Sequence, residues 1–283
     1  MTTLPVPETV TKYLARLGLS GDLAPTVETL VELQRRNQDT VPYENLAIML
    51  GRPDSTDPKQ TLERVASGGN AGYCFHQNGA FELVLRALGF NVERRFGQVQ
   101  GRPFPRLNHL VLLVTIDGRP WWPDLGLGDA IREPVELVAG EIRQGPFRYG
   151  ITDVSDKGWT FWHDPAAGSF PAVKVRADQP TEAEVAESHR VLSTPPDGRF
   201  TQVLVVQRRD DTGASVLRGI RYRRVGDDAF TRDLTSYDDW SAVLESLGVS
   251  FVGVTVDELR SLHARMVAAH EEWAAANEQT SRR

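Results

Sequence analysis

The spacing of apolar positions changes near residue 90, where a period close to 3.6 gives way to a period of two. Before that point, Val10, Tyr13, Leu14 and Leu17 predict one face of a short helix that Gly18 ends. Leu30 and Leu33 mark a second helix. Pro42 disfavours helix at Val41 and turns the chain through residues 41–46. Leu62, Val65 and Ala66 predict a third helix that stops at Ser67-Gly68-Gly69. Phe75, Ala80, Phe81, Val84, Leu85 and Leu88 predict a fourth, with Gly89 as its left-handed cap.

Alternation then takes over. Residues 92–98 and 109–116 read as strands, and Asp117-Gly118 as the hairpin turn into a strand returning through Trp121 and Trp122 to Asp124. Further strands at 159–163 and 172–176 make the middle an antiparallel sheet or barrel. Residues 181–190 read as a helix. Residues 201–207 and 215–224 read as two strands joined by Asp210-Asp211-Thr212-Gly213. Trp240, Val243, Leu244 and Leu247 stripe a further helix, and Thr255-Val256-Asp257-Glu258 is a capping box opening the last one. Residues 278–283 are expected to fray. The chain has neither an internal repeat nor a low-complexity segment.

Composition narrows the function classes. With 283 residues the chain can bury a large core divided into two or three parts. A formal charge of −6 supplies no basic footprint for nucleic acid. One cysteine excludes an intramolecular disulfide and fits a reducing compartment. Cysteine and histidine spacings for structural zinc are absent. The opening residues lack a basic and then apolar stretch, so no signal peptide is expected. No apolar run approaches the roughly 18 residues that cross a bilayer. The expectation is a soluble cytoplasmic protein with no membrane or nucleic-acid partner.

The candidate chemistry centres on Cys74, in Asn70-Ala71-Gly72-Tyr73-Cys74-Phe75-His76-Gln77-Asn78. Its place at the start of the fourth helix lets unpaired amides and the helix dipole favour a thiolate. Gly72 would let the backbone bend sharply there. His109 opens one arm of the predicted hairpin and Asp124 closes the other, so the two share an open end within hydrogen-bonding reach. Thiol, imidazole and carboxylate in that order suit a nucleophile, its base and the base's orienter. The bland alternatives are a buried apolar cysteine, a satisfied strand histidine and a turn aspartate. Gly126-Leu127-Gly128 lacks the third glycine and acidic residue of a dinucleotide fingerprint. Arg218, Arg221, Arg223 and Arg224 could meet phosphates, although a solvated strand face is the stronger reading. His163, His189, His263 and His270 read as structural or surface residues.

Taken together, these segments resemble the arylamine N-acetyltransferase family, and the resemblance covers nearly the whole chain. Val41-Pro42-Tyr43-Glu44-Asn45-Leu46 resembles its (Ile/Val)-Pro-Phe-Glu-Asn-Leu segment. Ala71-Gly72-Tyr73-Cys74-Phe75 with Asn78 resembles its Arg-Gly-Gly-x-Cys-x-x-x-x-Asn. Asn108-His109 and Asp124-Leu125-Gly126-Leu127-Gly128 stand where the family has its histidine and its Asp-Val-Gly-Phe-Gly. Ser193-Thr194-Pro195 to Phe200, then Val205-Val206-Gln207-Arg208, are also similar to it.

The resemblance implies an α+β fold of three parts: an N-terminal helical bundle, a central antiparallel β-barrel and a C-terminal α/β lid, here divided at 1–90, 91–195 and 196–283. It implies ping-pong transfer of an acetyl group from acetyl-CoA, a cosubstrate with no bound cofactor or metal, through a cysteine thioester. The acceptor would be an arylamine, arylhydrazine or N-hydroxyarylamine. Cys74, His109 and Asp124 match the family's catalytic residues; Tyr43, Val99, Leu127 and Phe200 its acceptor pocket; Asn108 and Gly126 its CoA contacts. Self-association into a homodimer is left open. Departures are Asn70 and Ala71 for the Arg-Gly pair, and Tyr43 and Leu127 for two pocket phenylalanines. Without that arginine, Glu44 must find another cation, such as Arg64, or stay solvated. Rival readings keep the three residues but make an amide synthase of natural-product biosynthesis or a thiol hydrolase. A non-catalytic binding protein is the remaining one.

Overall fold

Two helices in the first third begin at a capping side chain, whereas the one that carries Cys74 does not. The computed structural model describes residues 6–100, 107–166, 168–194 and 198–281. It opens with α1 (Glu8–Arg16), α2 (Val27–Thr40), the two-residue strand β1 (Tyr43–Glu44), α3 (Leu46–Met49), α4 (Pro58–Ala66) and α5 (Cys74–Ala87). Thr26 caps α2 by accepting the Thr29 amide at 3.3 Å, and Asp57 caps α4 ahead of Pro58. Val10, Tyr13 and Leu14 of α1 bury against Leu62 and Val65 of α4 and against Phe81, Val84 and Leu85 of α5. Phe81 is fully buried there; truncating such a ring costs about 3–5 kcal/mol.

The middle of the chain is one eight-stranded antiparallel sheet, nearly closed into a barrel. Its strands are β2 (Asn91–Val99), β3 (His109–Ile116), β4 (Arg119–Trp122), β5 (Val135–Glu136), β6 (Gly140–Gln144), β7 (Phe147–Ser155), β8 (Gly158–Trp162) and β9 (Ala172–Arg176), in the order β5-β4-β3-β2-β9-β8-β7-β6. Trp122, Phe147, Tyr149, Phe161 and Val173 fill its interior. The third part comprises α6 (Glu182–Ser193), a 3₁₀ turn at Arg199–Thr201, β10 (Val205–Arg209), β11 (Gly213–Arg218), β12 (Arg221–Gly226), β13 (Phe230–Asp233), α7 (Tyr237–Ser246) and α8 (Val256–Ser281). A second sheet runs β1-β10-β11-β12-β13, so Tyr43 and Glu44 leave the helical region to pair with Gln207 and Val206. One face of that sheet packs on α7 and α8 through Leu217, Trp240, Leu244 and Leu262.

The expected α+β fold is therefore the one observed. Local details differ. Residues 215–224 are two strands, not one, with the chain reversing at Gly219-Ile220. The strand expected from 201 starts at Val205, because residues 199–201 form the 3₁₀ turn. Strands β5, β6, β7 and β13 were not anticipated; β5, β6 and β13 are short, whereas β7 does alternate, with Phe147, Tyr149 and Ile151 buried between Arg148, Gly150 and Thr152. The last helix extends to Ser281 where fraying was expected from residue 278. Residues 195–197 of the family-like segment and residues 282 and 283 lie outside the described residues. The capping box is present, with Thr255 Oγ1 accepting the Glu258 amide and Glu258 accepting the Thr255 amide.

Candidate active site

Cys74 is the first residue of α5, and Gly72 makes the approach to it. Gly72 has φ +97°, and a Cβ there would stand 2.6 Å from His76 Nδ1, so neither backbone nor space admits a side chain. Gln77 donates to the carbonyls of Pro42 and Gly72, each at 3.0 Å, holding the entering chain against its helix. The sulfur sits at a helix N-terminus whose first turn has no acidic residue and whose leading backbone amides have no partner within the helix. Its thiol donates to the Asn108 carbonyl at 3.6 Å.

His109, the first residue of β3, is 1% exposed and is opposite Gly97 of β2. Its Nε2–H donates to Asp124 Oδ2 at 2.7 Å. A carboxylate can only accept, so this bond fixes the tautomer and leaves Nδ1 for the Cys74 side. Burial pulls the His109 pKa down, but the charge and hydrogen bond of Asp124, aided by Cys74, raise it well above the usual imidazole range.

Asp124 does not sit on a strand. The β3–β4 ladder ends with Val114 opposite Trp121, and Pro123 takes the chain off it. Side chains to which sequence reasoning gave no role, Trp122 and Asn78, hold the carboxylate instead. Oδ2 also accepts from Trp122 Nε1 at 3.2 Å, while Oδ1 accepts the Gly126 amide at 2.7 Å and Asn78 Nδ2 at 3.2 Å. Asn78 lies one turn after Cys74, donates to the Leu110 carbonyl and accepts the Leu125 amide. One side chain thus ties helix, strand and loop together. Gln34 of α2 accepts the Asp124 amide at 3.0 Å. At Gly126 a Cβ would lie 2.5 Å from Cys74 Cα, so only glycine lets the loop close on the helix.

A cavity of about 340 Å³ opens at Cys74. Tyr43, Val99, Asn108, His109, Gly126, Leu127 and Phe200 border it, whereas Asp124 lies behind His109. Sequence reasoning missed Ser169, Phe170 and Arg199; it named Arg218, Arg221 and Arg223 as able to meet phosphates but favoured a solvated face, and it quoted Gln207 without a role, and all four border the cavity. Ser169 and Phe170 belong to a loop after β8 that carries no local pattern; Asp129 fixes it by accepting from Ser169 N at 3.0 Å and Oγ at 2.9 Å.

Glu44 meets neither expectation set for it. Arg64 instead reaches Asp54 and the carbonyls of Asn70 and Ala71. Glu44 is 2% exposed and accepts the Leu46 amide at 2.5 Å. Burial raises its pKa to about 7, against the partial relief of that hydrogen bond. Asn70, standing where the family has arginine, exchanges two bonds with the Ser250 backbone, at 2.8 and 2.7 Å. Among the described residues, no cluster of three or more His, Cys, Asp or Glu side chains could hold a metal ion.

Residues 26–257 match the family model described as N-acetyltransferase. The arylamine N-acetyltransferase of Escherichia coli is 36% identical over 138 residues, covering 47% of this chain and 49% of that one. The chain thus spans about half the length of that relative in the alignment. The arylamine N-acetyltransferase of Mycolicibacterium smegmatis is 30% identical over 275 residues, covering 90% and 95%. Proansamycin X synthase of Amycolatopsis mediterranei is 26% identical over 247 residues, covering 83% and 95%. Among solved structures, the Salmonella typhimurium arylamine N-acetyltransferase superposes with TM-score 0.82 at 23% identity, over 92% of this chain and 99% of that one. The Mycobacterium marinum arylamine N-acetyltransferase in complex with CoA has TM-score 0.80 at 24% identity, over 91% and 98%. With the fold shared end to end and the family match running through both sheets, this chain belongs to the arylamine N-acetyltransferase family.

Proposed function

We propose that this protein transfers an acetyl group from acetyl-CoA, through a thioester on Cys74, to an arylamine, arylhydrazine or N-hydroxyarylamine. The observation that carries the reading is the His109–Asp124 bond of 2.7 Å beside a cysteine at a helix N-terminus that opens on a cavity. His109 Nδ1, made strongly basic by Asp124, carries the proton given up by Cys74, and the thiolate attacks the thioester carbonyl. The CoA sulfur leaves with the proton that His109 returns. The acceptor nitrogen then attacks the acyl-cysteine, His109 takes a proton from that nitrogen and gives it back to the departing Cys74 sulfur. Asp124 keeps the imidazolium oriented and stabilised through both half-reactions. Exchange of sulfur for sulfur keeps the first step close to thermoneutral. A backbone amide at the start of α5 suits the oxyanion, and one such donor typically changes the rate about 10²- to 10³-fold.

In this reading Tyr43, Val99, Leu127 and Phe200 receive the acceptor ring, and Asn108 and Gly126 lie along the donor's arm. Tyr43 and Phe200 rings stand 6.5 Å apart, spaced for a planar guest at their edge. Burial, followed by the neighbouring Cys74, raises the Tyr43 pKa well above 10 and keeps this wall neutral. A lone nucleophilic thiol suits a reducing compartment such as the cytoplasm. A second reading, amide synthesis on a larger acyl chain, is favoured by one observation: Leu127 replaces a bulkier family residue in a chain similar over 83% of its length to proansamycin X synthase.

The test is mass spectrometry of the protein incubated with acetyl-CoA and no amine. One acetyl group on the Cys74 peptide is expected, released when aniline is added, and absent from Cys74→Ser. Acetylation confined to lysines would remove the covalent mechanism.

A further inference from the structure

Three arginines of the lid hairpin face a cavity, although Arg218 and Arg223 remain open to solvent. Arg218, Arg221 and Arg223 border the cavity that opens at Cys74. The register explains why. Arg218 pairs with Arg221, and Val216 with Arg223; Val216 in turn pairs with Gln207, and Gln207 with Tyr43. Residues directly opposite in antiparallel strands share a face. One face of the sheet therefore runs from Tyr43 through Gln207 and Val216 to the three arginines. The intervening Leu217 points the other way, into the core against α7 and α8. Arg224 also turns away, to Asp210 at 2.7 Å.

Three strand spacings separate β1 from β12, about 14 Å at the usual 4.8 Å step. A small acyl group would occupy only the Cys74 end; a donor with a long flexible arm would reach the arginines. Like charges placed directly opposite destabilise a sheet. Arg218 stands opposite Arg221, with Arg223 two residues along, so three guanidinium groups converge on one face. Asp233 binds Arg221 through both oxygens, at 2.8 and 2.9 Å, and the Trp273 ring lies 5.0 Å from its guanidinium. Arg221 is thereby held in place, while Arg223 on the same face is exposed. Arg199 borders the cavity from the 3₁₀ turn.

We propose that Arg218, Arg221 and Arg223 form an anion subsite for the phosphate end of a phosphopantetheine-type acyl donor whose thioester reaches Cys74. The proposal rests on Cys74 being the acyl acceptor. A guanidinium fork suits phosphate oxygens, and its donors are charge-assisted.

The experiment measures kcat/KM for acylation of Cys74 by acetyl-CoA, acetyl-4′-phosphopantetheine and acetyl-pantetheine, which carry three, one and no phosphates. The expected result is a preference for acetyl-CoA over acetyl-pantetheine that falls at least about tenfold in the Arg218→Ala/Arg223→Ala variant, the loss of one or two charge-assisted bonds. If the double variant does not fold, Arg223→Glu alone should lower the same ratio and Arg223→Lys should restore part of it. An advantage already complete with acetyl-4′-phosphopantetheine locates the interaction at the phosphate that carrier-bound chains also possess; one that appears only with acetyl-CoA locates it at the nucleotide. A preference that survives the substitutions overturns the subsite. Absence of a Cys74 adduct with all three donors would instead overturn the acyl-acceptor reading beneath it.

Discussion

Two histidine–aspartate pairs meet the loop after β4, five residues apart, and only one is built for proton transfer. His109 and Asp124 are joined at 2.7 Å, and the carboxylate takes three further donors from Trp122, Asn78 and Gly126. His163 and Asp129 are equally buried but stand 3.6 Å apart, and neither ring nitrogen of His163 has a hydrogen-bond partner. Phe147, Tyr149, Phe161 and Phe170 surround that imidazole, while Asp129 spends both oxygens on Ser169. Burial and proximity are common to both. The difference lies in a fixed tautomer and a neighbouring thiol.

The sharpest way to break this comparison is to convert each aspartate to asparagine. Asp124→Asn is expected to lower turnover at least about a hundredfold, since the amide can hold the imidazole in the wrong tautomer. His109→Ala should do similar harm and the double variant little more, because the residues act as a unit. Asp129→Asn keeps an acceptor for Ser169 and should cost only a few-fold in acceptor kcat/KM, typical of a disturbed pocket wall. Steady-state kinetics on all four variants decides it; a hundredfold loss in Asp129→Asn would make the two pairs equivalent.

Glu44 supplies a third buried carboxyl, with fewer donors than Asp124 and only the more distant charge of Arg64 to offset its burial. Its folded pKa of about 7 lies above the ordinary 4.5, so folding takes up a proton between these values. The stabilising contribution of the protonated form is complete below pH 4.5 and is lost as pH rises through 7. Over that window the loss is on the order of 3 kcal/mol. Glu44→Gln should therefore be more stable than wild type at pH 8.5 and close to it at pH 4.5, measured by urea unfolding. Equal stability difference at both pH values would show that Glu44 is ionised throughout.

The smallest effect is expected midway along the same loop. Leu127→Phe should improve kcat/KM for small arylamines by about two- to twelvefold, the worth of one aromatic pair, and worsen it for bulky acceptors. Slower acylation of Cys74 with unchanged arylamine preference would place Leu127 on the donor side instead.

Much of the framework was legible because its signals are local. The α5 stripe with Gly72 before it and Gly89 after it announces a helix starting at Cys74, and the 109–116 alternation with Asp117-Gly118 announces β3 and its turn. Between residues 126 and 146 the chain has no steady period, so β5 and β6 left no signal and exist because neighbouring strands pair with them, whereas the Phe147-Tyr149-Ile151 alternation of β7 was legible and went unused. The arginines cluster in Arg218 at the end of β11 and Arg221, Arg223 and Arg224 in β12, a composition that equally describes a solvated face.

By itself the sequence determined the helix starts and stops, the change of period and the order of Cys74, His109 and Asp124, each set by neighbours within a few residues. Tertiary structure alone decided what those groups meet. Asn78 and Trp122 converge on Asp124 because a helix, a strand and a loop cross there. Glu44 forms no ion pair with Arg64, which acts on it only at a distance because Asp54 and two carbonyls engage the guanidinium. The arginine row became a cavity wall because β1 left the helices to pair with β10 and set the face of the whole sheet. Side-chain partners separated by dozens of residues leave no periodic trace, and only packing in three dimensions selects them.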